Sequence, residues 1–326
     1  MKACITGVTG QTGSYLAEIL LKDGFEVFGL MRRTSSFSTG RIEHIYPDIN
    51  LTYGDLADYS SISSWVNHVQ PDHFYNLGAQ SHVKVSFDVP EYTMDVGATG
   101  VIRCLEAIRR HSRHTRFLQA STSELFGSSP PPQNEQTPFH PRSPYGAAKI
   151  AGYWATVNYR EAYDIFAVNS ISYNHEGPRR GETFVTRKIT RAATRIKLGL
   201  QDKLVLGNLD AKRDWSHAED VANAMYMILS AEKPDDWVVS SGEMHSVREF
   251  VELVFKALDL EWQDYVTTDT KYLRPSEVDA LQGDSSKIRS KLGWKPKYSF
   301  NDLVQQMVGH DLRLAQTEKL IRDSNG

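Results

Sequence analysis

The chain has little cysteine, no long apolar run and almost no excess of charge of either sign. Only Cys4 and Cys104 occur among 326 residues, and neither lies in a CxxC motif, so no disulfide framework is expected and a reducing compartment is indicated. No apolar run approaches the length of a membrane span, and the predicted first strand begins directly after Met1, without room for a signal peptide. We therefore expect a soluble, cytoplasmic protein without a membrane partner.

The charge distribution and the residue spacings argue against a nucleic-acid site, a metal site and the active site of a serine hydrolase. The formal net charge is -3, with basic and acidic side chains dispersed along the chain, so no nucleic-acid partner is predicted. The 11 histidines never take the HxxxH or HExxH spacing of metal ligands, and the GxSxG elbow of a serine hydrolase does not occur. We expect neither a bound metal nor a hydrolytic serine.

The amino-terminal segment predicts a dinucleotide site. The residues KACITGVTGQTGSYLAEILLKDGFEVFGLMRR predict a strand, a glycine-rich turn, a helix and a second strand. Gly7, Gly10 and Gly13 fall where the strand meets the helix, and the missing side chains let the backbone approach a pyrophosphate at the helix N-terminus. Gln11 and Thr12 belong to the same predicted cofactor-binding turn. A merely tight strand-to-helix turn is the alternative.

The ends of the following strands supply further candidate cofactor contacts. The second strand ends in Arg32 and Arg33, where an NAD enzyme usually presents a carboxylate to the ribose. Two guanidinium groups suit a 2′-phosphate, which favours NADP, although surface arginines would give the same pattern. Asp55 ends the third strand and can accept a hydrogen bond from adenine. The other candidates at the ends of the third and fourth strands are Leu56, Leu77, Gly78 and Ala79.

The alternation of strands and helices determines the predicted fold class. Repeated β–α units predict an α/β fold with a Rossmann-type, doubly wound parallel sheet, whose ligands bind at the carboxyl ends of the strands. Because 326 residues exceed one ordinary core, a smaller, interleaved C-terminal substrate-binding domain is also expected. The predicted Rossmann domain covers residues 1–173, with 214–242 returning to it, and the substrate domain covers 174–213 and 243–326.

The segment from Ser121 to Lys149 contains the candidate chemistry. Thr122, Ser123 and Glu124 follow the predicted strand RFLQA, while Tyr145 and Lys149 stand four apart at a predicted helix start. That spacing places the phenol and the ammonium on one helical face, where the ammonium would favour a phenolate that can act as a base. A surface tyrosine and lysine on an ordinary helix would have the same spacing.

Two further groups of residues are candidates for the same site. The proline-rich loop SSPPPQNEQTPFHPRSP is predicted to form a rim or lid over a pocket, with a disordered linker as the alternative. Lys188, Arg213 and Arg274 are candidate phosphate or nucleobase contacts, since each carries a positive charge. Taken individually, each of the three is more readily explained as a solvated charge than as such a contact.

Several motifs together indicate a family. With the glycine turn, STSELFG, YGAAK, NHEGPRRG, RDWSHAED and RPSEVD, the chain resembles the extended short-chain dehydrogenase/reductases. The motifs RRTSSFSTGRIEHIY, NLGAQSHV, VTRKI, LGNLDAKRDW, DALQGD and LGWKP resemble one branch of them, the GDP-mannose 4,6-dehydratase family. The resemblance covers nearly the whole chain in order.

The resemblance implies a lyase that converts GDP-mannose to GDP-4-keto-6-deoxymannose and water through an internal hydride transfer with bound NADP. It implies catalysis by Thr122, Ser123, Glu124, Tyr145 and Lys149. The GDP-sugar contacts that it implies are Ser81, Asn174, Lys188, Arg213, Arg274 and Glu277. In the family, the loop that begins at Arg32 reaches the cofactor site of a neighbouring subunit, which implies a homodimer or a homotetramer.

Two positions depart from the family pattern, and several alternatives stay open. Thr12 stands where aspartate is usual, and Gly177 stands where serine is usual. Gly177 is expected to border the sugar pocket and to admit a bulkier sugar, so a GDP-manno-heptose 4,6-dehydratase is the first alternative. An epimerase or reductase, or a catalytically silent NADP-binding sensor of the same fold, are the others.

Overall fold

The computed structural model describes residues 1–272 and 276–324. Its strands, in chain order, are β1 (Lys2–Thr6), β2 (Glu26–Met31), β3 (Ile49–Tyr53), β4 (His73–Asn76), β5 (Arg116–Thr122), β6 (Ala167–Ser172), β7 (Asn174–Glu176), β8 (Leu204–Leu206), β9 (Lys212–His217), β10 (Asp236–Val239), β11 (Met244–Ser246), β12 (Val266–Thr268) and β13 (Ala280–Leu281). Its α-helices are α1 (Gln11–Lys22), α2 (Tyr59–Val69), α3 (Val85–Asp88), α4 (Pro90–Met94), α5 (Gly100–His111), α6 (Pro144–Tyr163), α7 (Val185–Lys197), α8 (Ala218–Leu229), α9 (Val247–Lys256), α10 (Ser286–Leu292) and α11 (Phe300–Ser324).

Seven strands form one parallel sheet. Their order is β10-β6-β5-β4-β1-β2-β3, and every neighbouring pair is parallel. The crossover connections carry helices that cover both faces, as a buried parallel sheet requires. The predicted Rossmann-type α/β class is confirmed. Because all seven strands run the same way, the residues that follow β1, β2, β3, β4 and β5 meet at one edge of the sheet.

The helix that positions the candidate base begins for a local reason. The Ser143 hydroxyl accepts a hydrogen bond from the Gly146 N–H, and Pro144 occupies the first turn, where its missing N–H has no consequence. The helix α6 ends at Tyr163, and the next residue, Asp164, caps it in a left-handed conformation with φ of 55°. These signals place Tyr145 in the first turn of α6 and Lys149 one turn later.

Two smaller sheets lie beyond the parallel one. The strand β9 pairs with β7, β11 and β13, while β12 pairs with β8. Helices α7, α9 and α11 share a second apolar core with β8 and β12. The division of the chain at residues 173, 213 and 242 stays a prediction, and Ile288 and Trp294 from the last predicted segment pack into the core of the parallel sheet.

The proline-rich loop does not form the predicted lid. Gln133 is fully buried, donates its backbone N–H to Gln282 O at 2.8 Å, and accepts a hydrogen bond from the Tyr173 hydroxyl at 2.7 Å. The isolated bridge between Gln133 and Gly283 continues this contact. None of residues 125–144 lines the large cavity described below. The lid prediction was wrong because hydrogen bonds hold the loop against the segment around residues 280–284.

Within the described residues a membrane-spanning helix is absent, since none of the helices combines the necessary length with the necessary apolar character.

A buried ion pair joins the last helix to α7. Both carboxylate oxygens of Asp311 lie 2.8 Å from Arg187 Nε, and the Thr190 hydroxyl donates to one of them. The side chain of Asp311 is 0% exposed and that of Arg187 is 7% exposed. Arg187 also donates to the backbone oxygens of Pro178 and Arg180, so the pair holds a loop as well as two helices.

Replacement of Asp311 by alanine should lower the free energy of unfolding by about 3–5 kcal/mol, because it leaves the Arg187 charge buried without its carboxylate. Equilibrium unfolding in urea measures this change. The control is Asp259→Asn, because the Asp259 side chain is 96% exposed, its one ion-pair contact, to Lys197, is long at 4.0 Å, and asparagine tolerates the positive φ of 52° at this residue. The free energy of unfolding of this variant should stay within about 0.5 kcal/mol of the parent value. A comparable loss for both variants would contradict the interpretation.

Candidate active site

A large cavity lies at the carboxyl edge of the parallel sheet. Its volume is about 1230 Å³. The predicted cofactor-binding residues that line it are Gly7, Gly10, Gln11, Thr12, Gly13, Arg32, Asp55, Leu56, Leu77, Gly78 and Ala79. The predicted catalytic and substrate-binding residues that line it are Thr122, Ser123, Glu124, Tyr145, Lys149, Ser81, Asn174 and Lys188. Tertiary structure therefore brings these separate motifs to one site.

The glycine turn forms a backbone cradle that fits a dinucleotide. Gly7 has φ of 70°, and a Cβ there would lie 3.0 Å from the backbone nitrogen of Gly78. A Cβ on Gly13 would lie 2.3 Å from Gly7 O, so helix α1 packs closely on the turn only because residue 13 has no side chain. The N-terminus of α1 consequently faces the cavity with open backbone donors, as a pyrophosphate requires.

The guanidinium groups near this turn are arranged differently from the sequence prediction. Arg32 lines the cavity and donates to the Tyr92 hydroxyl at 2.6 Å, but Arg33 does not line the cavity. Arg41, nine residues after Arg32, lines it instead. The second guanidinium of the site was missed because it follows an irregular segment whose path the sequence pattern does not determine.

The end of strand β5 and the turn after it position the Thr122 hydroxyl and the Glu124 carboxylate. The chain passes from β5 into a short 3-10 helix, Ser123–Leu125, and the Thr122 hydroxyl caps it by accepting from the Glu124 N–H at 3.3 Å. Thr122 and Glu124 are 8% and 5% exposed. This tight turn holds the two side chains beside the first turn of α6, where Tyr145 lies.

Tyr145 retains its proton at neutral pH in the protein alone. Enclosure in the cavity raises the pKa of Tyr145 to about 12, and the Glu124 carboxylate raises it too, while a hydrogen bond with Thr122 and the charge of Arg180 lower it. The Lys149 ammonium lies 5.8 Å from the centre of the Tyr145 ring and donates to Ala120 O at 2.8 Å. Lys149 is not among the groups that shift the pKa of Tyr145, so the expected effect of its ammonium on the phenol is not found.

The predicted substrate contacts divide into three groups. Ser81, Asn174 and Lys188 line the cavity, and Lys188 Nζ lies 3.9 Å from the centre of the Tyr272 ring. Arg213 and Glu277 do not line it. Arg213 is 6% exposed on β9 and donates to Lys212 O at 2.8 Å, which directs it along the small sheet. Arg274 lies outside the described residues, so its assignment and that of Glu277 stay predictions.

Gly177 does not line the cavity, contrary to the expectation that it borders the sugar pocket. It has φ of 156°, and a Cβ there would lie 3.3 Å from His217 Nε2 and 3.8 Å from Gln11 Oε1. A side chain at residue 177 would therefore point at His217 and Gln11, and the proposed space for a bulkier sugar has no support at this position.

Two residues of the motif NHEGPRRG that were not among the predicted site residues reach the site. Arg180 lines the cavity, lies 2.9 Å from the buried Glu176 carboxylate and stacks on Phe184 at 3.6 Å. His175 also lines the cavity, and its backbone oxygen accepts a hydrogen bond from Gln11 Nε2 at 3.0 Å. The signal for both was the position of the motif directly after β6, at the same sheet edge.

Lys149 supplies a test of the site's electrostatics. Burial lowers the pKa of Lys149 from 10.5 to about 8, so its charge is unfavourable to the folded protein at neutral pH. A Lys149→Met variant should be more stable than the parent protein at neutral pH by about 1–2 kcal/mol, after loss of the hydrogen bond to Ala120 O. This advantage should shrink as the pH rises from about 8 to 10.5, because the folded parent protein then releases the unfavourable charge.

Urea unfolding at neutral pH and near pH 10 measures the effect of Lys149→Met. The control is Lys256→Met on the exposed face of α9, which should change stability by less than about 0.5 kcal/mol at either pH. An advantage of Lys149→Met that did not change with pH would show that the buried charge is not its cause.

Comparison with known proteins identifies the family. The family model described as GDP-mannose 4,6 dehydratase matches residues 4–307. GDP-mannose 4,6 dehydratase 1 of Arabidopsis thaliana is 55% identical, with 99% of this chain and 92% of the relative covered. GDP-mannose 4,6 dehydratase of Homo sapiens is 51% identical, with 97% of this chain and 92% of the relative covered.

Solved structures with the same fold include other sugar-nucleotide enzymes. UDP-glucose 4-epimerase of Thermus thermophilus, in complex with NAD, is 26% identical with a TM-score of 0.84, covering 95% of this chain and 99% of that one. The structure of dTDP-glucose 4,6-dehydratase of Bacillus anthracis shares the fold, with 21% identity and a TM-score of 0.84. The match covers 97% of this chain and 98% of that chain. The sequence matches extend over nearly the full length, and the chain belongs to the GDP-mannose 4,6-dehydratase family of short-chain dehydrogenase/reductases.

Proposed function

We propose that this chain is a hydro-lyase that converts GDP-mannose to GDP-4-keto-6-deoxymannose and water, with NADP as its cofactor. The proposal rests on one observation: Thr122, Glu124 and Tyr145 line a single cavity, which the glycine turn also lines. Relatives that are 51% and 55% identical over nearly the whole chain bear the name of this activity and support the substrate class.

A nicotinamide cofactor is supported by the glycine cradle and by the NAD in the related epimerase structure. NADP rather than NAD is favoured because Arg32 follows the end of β2, where a carboxylate would otherwise meet the ribose 2′-hydroxyl. When bound, NADP would accept a hydride from carbon 4 of the hexose and return it to carbon 6. Gly7, Gly10, Gln11, Thr12 and Gly13 would hold its pyrophosphate through the backbone.

The first proton transfer is assigned to Tyr145. As a phenolate it would take the proton from the hydroxyl on carbon 4, and the Thr122 hydroxyl would donate a hydrogen bond to the same oxygen. In the protein without substrate, the Thr122 hydrogen bond and the Arg180 charge both lower the pKa of Tyr145 against the effect of burial. Because the Thr122 hydroxyl has one proton, the bond to the sugar oxygen would replace the bond to Tyr145, and the Arg180 charge would still favour the phenolate. Lys149, one turn further along α6, would hold the cofactor ribose, and Ser123 stays a candidate contact between the two reacting side chains.

The elimination is assigned to Glu124. A carbonyl at carbon 4 acidifies the hydrogen on carbon 5, so a carboxylate beside that carbon can remove it as a proton. The protonated Glu124 would then give this proton to the hydroxyl on carbon 6, which leaves as water, and the proton that Tyr145 took from the carbon 4 hydroxyl would be available to carbon 5 when the hydride returns to carbon 6. Simple oxidation, reduction or epimerisation at carbon 4 needs no such carboxylate. Glu124 is therefore the residue that favours a dehydratase over an epimerase or reductase, and the complete set with Thr122, Tyr145 and Lys149 argues against a silent sensor.

Further parts of the proposal concern the substrate's nucleotide and the assembly. Lys188 would neutralise the diphosphate, and Ser81 and Asn174 would contact the sugar side of the cavity. Arg213 and Arg274 remain proposed GDP contacts, and the Glu277 carboxylate would accept the two guanine N–H groups. Family resemblance supports a homodimer or homotetramer in which the loop after Arg32 contacts a neighbouring subunit.

The proposed function is tested by incubating the purified chain with NADP and, separately, with GDP-mannose, GDP-manno-heptose and UDP-glucose. GDP-mannose should yield a 4-keto-6-deoxy product that has lost one water, with no net accumulation of reduced cofactor, as read by mass spectrometry and absorbance. Turnover of GDP-manno-heptose with none of GDP-mannose would refute the proposed substrate.

Glu124→Gln should separate the two stages of the reaction. The variant loses the base for carbon 5 but keeps Tyr145, so a single turnover should leave reduced nicotinamide on the enzyme, with product formation slowed by about 100-fold or more. Tyr145→Phe is the matched control, because it should block both the reduction of the cofactor and the formation of product. Normal product formation by Glu124→Gln would remove the glutamate from the mechanism.

A further inference from the structure

Three lysine side chains gather around one aromatic ring at the wall of the large cavity. The Nζ atoms of Lys188, Lys271 and Lys84 lie 3.9, 5.1 and 5.8 Å from the centre of the Tyr272 ring. The lysines come from three distant segments of the chain, because Lys84 stands just before α3, Lys188 lies in α7 and Lys271 precedes Tyr272 in a short 3-10 helix. Tertiary structure alone creates this concentration of positive charge.

Two of these ammonium groups have no carboxylate partner among the described residues. Lys84 and Lys188 are half-buried and line the cavity. Within the described part of the chain, their Nζ atoms donate only to backbone oxygens, those of Lys271 and Val205. Lys271 is exposed, does not line the cavity and pairs with Asp269 at 3.1 Å. Burial and the charges of Lys271 and Lys84 lower the pKa of Lys188, so its surroundings oppose its positive charge.

Ammonium groups placed in this way are suited to a diphosphate. Each ammonium carries more than one N–H donor, and a backbone oxygen takes one of them, so Lys84 and Lys188 keep donors for a ligand. The oxygens of a diphosphate accept charge-assisted hydrogen bonds from such groups. Its negative charge also offsets the repulsion between neighbouring ammonium groups, which is stronger where water is partly excluded.

The pyrophosphate of a dinucleotide cofactor has another place in the cavity. In a dinucleotide site it meets the N-terminus of the first helix, here α1 after the glycine turn. Lys188 belongs instead to the part of the chain with the two smaller sheets, since its Nζ donates to Val205 O of β8 at 2.6 Å. Tyr272 packs on the same part, because a Cβ on Gly207 would lie 2.9 Å from Tyr272 O. A dinucleotide has a single diphosphate, so a second diphosphate site indicates a second ligand, a nucleotide sugar.

We propose that Lys84 binds the diphosphate of the nucleotide sugar together with Lys188, and that Tyr272 positions both ammonium groups. This inference deepens the proposed function and rests on it for the class of substrate. A cation is attracted to the face of an aromatic ring, so Tyr272 keeps the two ammonium groups near each other in spite of their repulsion. The bond from Lys84 to Lys271 O also joins the segment after β4, which carries Ser81, to the segment of Tyr272.

Isothermal titration calorimetry of the full chain with GDP, UDP and NADPH tests this assignment. Lys84→Met should weaken the binding of a nucleoside diphosphate by about 5- to 50-fold, because it removes a charged hydrogen bond to a phosphoryl oxygen. It should change the affinity for NADPH by less than about 2-fold, since the cofactor's pyrophosphate is assigned to the glycine turn. Lys84→Arg keeps the charge and should bind the nucleoside diphosphate within about 3-fold of the parent affinity.

Lys271→Met is the matched control. Lys271 lies beside the same ring, but it is exposed, pairs with Asp269 and does not line the cavity. Its replacement should leave the affinity for all three ligands within about 2-fold of the parent value.

The positioning role of the Tyr272 ring is tested in the same titrations. Tyr272→Phe keeps the ring and should bind nucleoside diphosphates with the parent affinity, whereas Tyr272→Ala should weaken this binding by about 3- to 10-fold. An equal loss in both variants would show that the hydroxyl, and not the ring, is what matters at this position.

Three results would overturn the assignment of Lys84. An equal loss of affinity for NADPH and for nucleoside diphosphates in Lys84→Met would mean that Lys84 acts on a part of the cavity common to both ligands. Unchanged affinity for GDP and UDP would mean that Lys84 does not contact the diphosphate, and a parent protein that binds neither would lack the site. If Lys84→Met fails to fold by circular dichroism, Lys84→Gln, which is neutral and can still donate to Lys271 O, should show the same selective loss.

The outcome is separable from that of the proposed function. If the parent protein binds GDP or UDP in a Lys84-dependent manner but does not dehydrate GDP-mannose, the proposed activity fails while the Lys84 assignment stands. If the parent protein dehydrates GDP-mannose and Lys84→Met binds GDP with the parent affinity, the assignment of Lys84 fails alone.

Discussion

The close approach of α6 to the turn after β5 determines the geometry of the whole site. A Cβ on Gly146 would lie 2.9 Å from Glu124 O and 3.0 Å from Pro141 Cβ, so the helix reaches this turn only because residue 146 has no side chain. One turn further, Lys149 bonds to Ala120 O at 2.8 Å and secures the helix on the strand. The contact brings Tyr145 within reach of Thr122 and Glu124, three side chains from two distant parts of the sequence.

Burial dominates the electrostatics that this packing creates. It raises the pKa of Tyr145 and lowers that of Lys149, which is the direction that disfavours charge on both. Groups arranged in this way are common at sites of acid–base chemistry, where a proton must move at a pH far from the ordinary pKa. Within the cavity, the Thr122 hydrogen bond and the Arg180 charge oppose the effect of burial on the phenol, so a small set of contacts determines how readily Tyr145 ionises.

The fold by itself does not specify the reaction. The same architecture occurs in the epimerase of Thermus thermophilus and in the dTDP-sugar dehydratase of Bacillus anthracis, with a TM-score of 0.84 for each. The family assignment rests on sequence similarity along nearly the full chain, and the proposed chemistry rests on side chains at the sheet edge. Glu124 matters most in this respect, because in the proposed mechanism it is the residue that elimination needs and simple oxidation does not.

The sequence by itself determined the α/β class, the glycine turn and the strand ends that line the cavity. These features depend on local patterns: alternating apolar runs, glycines between β1 and α1, and a serine and proline that start α6. Tertiary structure alone decided that Arg41 rather than Arg33 faces the cavity, that Gly177 faces His217, and that the loop around Gln133 packs away from the site. Each of these depends on contacts between residues far apart in the chain, across irregular segments whose path no local periodicity determines.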